Sequence, residues 1–148
     1  MVLAKNATVE VRLPSRLGFE KVAMGTAASV ARLMGFSEDR VEDLKTAIAE
    51  ACINAMEHGN KFNDAVPVAV MLTIRDASLE VRVVDKGQGL DHPVPPPDID
   101  RKMHGEESPR GLGMFLIQSL VDEVEWVHGA PNGGSYMRLV IRLDKASK

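Results

Sequence analysis

Cysteine occurs once in the 148 residues, as Cys52. A single cysteine excludes an intrachain disulfide, a cysteine cluster for zinc and a redox pair, and leaves a buried thiol as the plain reading. An excess of positive charge is also missing. The formal net charge is -3, so no overall positive field draws the chain to a phosphate backbone, and direct nucleic-acid binding is not expected. No stretch reaches the length of a membrane span, and Met1 to Asn6 lacks the apolar run of a signal peptide. A soluble, cytoplasmic protein is expected. Internal repeats are absent, and the only biased segment is a proline cluster at Pro93, Pro95, Pro96 and Pro97.

What is present is enough apolar material, 45% of the residues, for one packed core, and one domain spanning 1–148 is expected. Val9, Val11 and Leu13 alternate with polar residues and predict a strand ending at Pro14. Ser15 is then placed to cap a helix carrying Leu17, Val22, Val30 and Leu33 and stopping near Gly35. Ser37, Glu38 and Asp39 open a second helix, whose stripe of Val41, Leu44, Ile48, Ala51 and Ala55 predicts a span of about Glu38 to His58. Alternation from Val66 to Ile74 and from Leu79 to Val83 predicts a hairpin around Asp76 to Ser78. From 91 to 109 the prolines and charges break every pattern, and a long mobile loop is expected. A helix with Phe115, Leu116 and Leu120 opens out of Gly111 and Gly113, followed by strands holding Val124 and Trp126, then Met137, Leu139, Ile141 and Leu143. The expected class is a two-layer α/β sandwich (α+β), with a mixed, mostly antiparallel sheet and helices on one face.

Three clusters carry chemistry. Glu50, Asn54 and His58 stand four residues apart on the second helix, away from the centre of its apolar stripe. An amide oxygen at Asn54 suits magnesium, and a carboxylate at Glu50 can take a proton from an attacking hydroxyl. On spacing alone, a merely solvated helix face explains the trio better than a site does. Asp85, Gly87 and Gly89 end a strong strand, where a carboxylate can accept from an exocyclic amine and glycines let backbone approach a flat ring. An ordinary glycine turn has the same pattern. Arg110, Gly111, Leu112 and Gly113 open a helix, where free amides and a fixed cation suit an anion. A plain loop-to-helix junction is again the alternative. The order of the three clusters, with a long loop between the last two, narrows the choice.

Glu50-Ala-Cys-Ile-Asn54-Ala-Met-Glu-His58-Gly59, Asp85-Lys-Gly87-Gln-Gly89 and Gly111-Leu-Gly113-Met resemble the N, G1 and G2 boxes of the GHKL superfamily of gyrase B, Hsp90, histidine kinases and MutL. Length and box spacing are similar to those of its anti-sigma-factor serine kinases, from about Val9 to Leu143. The resemblance implies a Bergerat-type ATP-binding fold with a lid at 91–109, and transfer of phosphate from ATP to a serine of a small anti-sigma-factor antagonist. It further implies that Asp85 reads the adenine amine, Asn54 binds Mg2+ and Glu50 is the base. Gly87, Gly89, Gly111, Leu112 and Gly113 then shape the nucleotide walls, with Arg110 near the terminal phosphate. Ser135 stands where the family often has threonine and keeps its hydroxyl for a water-bridged adenine contact. A homodimer and a sigma factor as second partner are implied as well. His58 fits the box but equally fits a buried structural role, and Lys86, Gln88, Met114 and Trp126 are expected to have no catalytic role.

Neither a Walker phosphate loop nor the His-Arg-Asp and Asp-Phe-Gly set of eukaryotic-type kinases is present. A histidine kinase needs a helical hairpin bearing its histidine, and no stretch is left for one. The alternative function is an ATP-sensing interaction module or a switch kinase acting on a phosphatase, with little or no phosphotransfer.

Overall fold

Period-two alternation of β-branched residues with polar ones gives strands that bury one face, and five such strands form one sheet. The computed structural model describes residues 6–86, 109–127, 129 and 134–143. In chain order the elements are β1 (Thr8–Leu13), α1 (Glu20–Met34), α2 (Glu38–Asn54), a π turn (Ala55–Gly59), β2 (Val68–Ile74), β3 (Ser78–Asp85), α3 (Pro109–Leu120), β4 (Glu123–Val127) and β5 (Ser135–Arg142). The sheet order is β1-β2-β3-β5-β4. Every neighbouring pair is antiparallel. The β3–α3–β4 passage is a crossover between strands that run the same way, but β5 inserts between them. The sheet is therefore antiparallel throughout rather than mixed.

Register puts Leu72 opposite Val81 and Val81 opposite Leu139, and likewise Val70, Val83 and Met137 in a second row. All are buried, together with Leu44, Ile48, Ala51 and Met56 from α2 and the π turn, and Ile117 from α3. Burial of each large apolar side chain contributes about 1.5–3 kcal/mol, so these rows fix the helices to one face. The opposite face is charged. Glu80, only 5% exposed, accepts from Arg75 and Arg138, with Arg82 at 3.6 Å. Burial by itself raises the Glu80 carboxyl, but the hydrogen bonds from Arg75 and Arg138 outweigh it and hold it below the ordinary glutamate range.

Several expectations about the helices change. Ser15 does not cap α1: it is buried, donates to the Val66 carbonyl and accepts from Asn60. α1 starts five residues later, and Leu17, Val22 and Leu33 are exposed, while Ala23, Ala27, Ala28, Val30 and Ala31 are buried. Small residues let α1 lie close against α2, so alanines rather than leucines form the contact. Gly35 does end α1, in the left-handed conformation at φ 96°. Ser37 does cap α2, accepting from the Arg40 amide at 3.2 Å. α-Helical bonding stops at Asn54, and the chain widens into the π turn, marked by the bond from the Asn60 amide to the Ala55 carbonyl at 2.9 Å. On α3 the buried face is Met114 and Ile117, with Phe115 37% exposed.

Candidate nucleotide site

Two strand ends and the N-box helix meet at one end of the sheet. Asp85 and Ser135 are direct cross-strand partners, so one register position brings the carboxylate and the hydroxyl together. Both are buried. A cleft at Asp85 is lined by Ala51, Asn54, His58, Gly59, Asp85 and Trp126, among others, and Ser135 is not part of its lining. Asn54 and Asp85, separated by 31 positions in the chain, thus face one space. His58 belongs to its wall and is half-buried; its Nε2 lies 3.6 Å from Glu57. Trp126, expected to be only a surface or core residue, also lines the cleft.

Gly59 explains how Asp85 is seated. A Cβ at Gly59 would fall 2.3 Å from Asp85 Cγ and 2.5 Å from Oδ2, far inside van der Waals contact, so only glycine admits the carboxylate there. The next residue ties the surroundings together. Asn60 is 3% exposed; its Nδ2 donates to Ser15 Oγ at 3.0 Å and to the Val66 and Pro67 carbonyls at 3.2 Å. Its Oδ1 accepts from the Lys86 amide at 2.8 Å. One side chain thereby links the loop after β1, the approach to β2 and the chain leaving Asp85. In the sequence these two residues mark only the end of a helix; the Gly-Asn pair after an N-box histidine was the available signal.

Asn54 is 8% exposed, and its Nδ2 lies 3.7 Å from the Met114 sulfur. With the amide nitrogen so occupied, Oδ1 is the atom left for a cation. Among the described residues no group of three His, Cys, Asp or Glu could hold a metal. A cation here would depend on phosphates and water for most of its ligands, the usual way Mg2+ is held beside a nucleotide. Glu50, one turn earlier, does not line the cleft wall with Asn54. Its carboxylate lies against Gly113 on α3, where a Cβ would come within 2.7 Å of Oε1.

α3 begins at Pro109, two residues before the expected glycine start, because proline suits the first helical position. Arg110 and Gly111 fall in the first turn, Leu112 is 46% exposed, and Gly113 is the fifth helical residue. The side chain of Arg110 is outside the described residues, as are Gly87, Gly89 and the expected lid up to residue 108. Cys52 is fully buried, and burial pushes its thiol up to about 12. No helix among the described residues is long and apolar enough to cross a membrane.

Comparison with known proteins identifies the family. The "Serine-protein kinase RsbW" of Bacillus thuringiensis is 34% identical over 81% of this chain and 77% of its own length. That of Bacillus anthracis shows the same identity and coverage. A crystal structure of the RsbU and RsbW domains of a Mycobacterium tuberculosis protein superposes with a TM-score of 0.62 at 22% identity, covering 95% of this chain and 33% of that longer one. Residues 13–141 match the histidine kinase-like ATPase domain, and the chain belongs to that family.

Proposed function

We propose that this chain is an ATP-dependent protein serine kinase acting on a small anti-sigma-factor antagonist, and that it also sequesters a sigma factor. The observation that carries the proposal is the convergence of Asp85 and Asn54 on one cleft, with Glu50 one helical turn from Asn54. The 34% identity to proteins named serine-protein kinase supports phosphotransfer over simple nucleotide sensing.

In this reading Asp85, held rigid on Gly59, accepts from the adenine amine, and Ser135 offers its hydroxyl beside it. Gly87 and Gly89 are assigned to the adenine wall. The backbone amides of Arg110, Gly111 and Leu112 at the start of α3 serve the phosphates, because unpaired amides and the helix dipole there favour anions. Asn54 Oδ1 holds Mg2+, which when bound neutralises charge on the transferring phosphate. Glu50 takes the proton from the attacking serine hydroxyl as the new bond to phosphorus forms and the bond to ADP breaks. Residues 1–148 act as one domain, working as a homodimer.

Intact-mass measurement tests this directly. The protein is mixed with ATP, Mg2+ and the candidate antagonist encoded alongside it, and a gain of one phosphate on the antagonist is expected. An antagonist of unchanged mass would leave ATP-dependent binding without transfer as the better account.

A further inference from the structure

Gly113 belongs to the expected phosphate wall, yet its place in the fold suits a different task. As the fifth residue of α3 it lies beyond the unpaired first turn, where an amide bonds to the carbonyl four residues earlier rather than to a ligand. It is buried, and it is absent from the lining of the cleft that holds Asp85 and Asn54. What it does touch is Glu50. The carboxylate occupies the space a Cβ would take, with Oε1 2.7 Å from that position and Cδ 3.7 Å.

We propose that Gly113 is a positioning residue for Glu50: the missing side chain forms a notch in α3 that sets where the carboxylate of α2 can stand. The inference rests on the assignment of Glu50 as base. Glycine inside a helix is less favourable than alanine; a Cβ at Gly25 in α1 would meet open space, whereas one at Gly113 would meet the Glu50 carboxylate. The interfering atom here is the far end of a flexible glutamate, which can swing away without moving the backbone. An added methyl therefore displaces the carboxylate while leaving the fold intact. Displacement of about 1 Å in a reacting group is enough to slow a reaction by up to about a hundredfold.

The test compares wild type, Gly113→Ala, Glu50→Gln and the double variant by melting temperature, ATP affinity and single-turnover transfer at saturating ATP to the same antagonist. Gly113→Ala is expected to melt no lower than wild type and to bind ATP within about threefold, while transferring phosphate about ten- to a hundredfold more slowly. The double variant should be no slower than Glu50→Gln alone, since the notch matters only through the carboxylate. Gly113→Ser should slow transfer at least as much. A wild-type transfer rate in Gly113→Ala, a loss of ATP affinity equal to the loss of rate, a lowered melting temperature, or losses that multiply in the double variant would each overturn the proposal. If Glu50→Gln itself transfers at the wild-type rate, the base assignment fails and this inference with it. A slow Glu50→Gln beside a fast Gly113→Ala removes this inference alone.

Discussion

At the scale of single residues, Gly59 and Gly113 leave the space that the carboxylates of Asp85 and Glu50 occupy. Gly59 leaves no room for a Cβ beneath Asp85, whose side chain is buried and cannot retreat. Gly59→Ala is therefore expected to displace the Asp85 carboxylate, the proposed adenine acceptor. Loss of a charge-assisted hydrogen bond costs about 1.5–3 kcal/mol, roughly ten- to a hundredfold in ATP affinity, and overpacking removes about 1–3 kcal/mol of stability. Calorimetric titration with ATP reads the first effect, and an unchanged affinity would show that the seat of Asp85 does not govern binding. The contrast with Gly113 is physical: there the crowded atom is a mobile carboxylate oxygen, here it is the root of a buried side chain.

Between elements, two polar clusters do what apolar packing cannot. Asn60 joins the loop after β1, the approach to β2 and the end of β3 through one amide. Asn60→Ala removes the bonds to the Pro67 carbonyl and the Lys86 amide, while Ser15 and the Val66 carbonyl keep their bond to each other, so a loss of about 1–3 kcal/mol is expected in urea denaturation. Asn60→Asp should fare no better, because a carboxylate cannot donate to the Val66 and Pro67 carbonyls. A loss below about 0.5 kcal/mol, smaller than one net hydrogen bond, would contradict the linking role. On the helix-free face, Glu80 is held below its ordinary value of 4.5. A depressed folded-state pKa stabilises above the unfolded value, and that stability is lost as pH falls through the folded value. Wild type should thus lose stability more steeply than Glu80→Gln as pH falls below 4.5, and parallel pH profiles would refute the linkage.

For the whole molecule, nucleotide binding and folding are linked. A ligand at a hundred times its dissociation constant adds about 2.7 kcal/mol, which for a chain of this size raises the melting temperature by about 5–10 °C. ATP should give this shift, GTP a smaller one, and Asp85→Ala should lose the difference between them. Equal shifts with both nucleotides in wild type would remove adenine recognition from Asp85. The same scale separates what each level of description decides. Strand periodicity, the apolar stripe of α2, the Ser37 cap and the Gly35 stop are local properties, set by neighbours within a few positions, and the sequence alone determined them. Periodicity reports that a residue has a buried face, not what lies opposite. Only the tertiary structure placed β5 between β3 and β4, turned Ser15 from a helix cap into a buried partner of Asn60, and brought Trp126 to the cleft. The same long-range packing set Gly59 under Asp85 and Gly113 against Glu50, because close approach between distant segments depends on register and helix packing that no local pattern encodes.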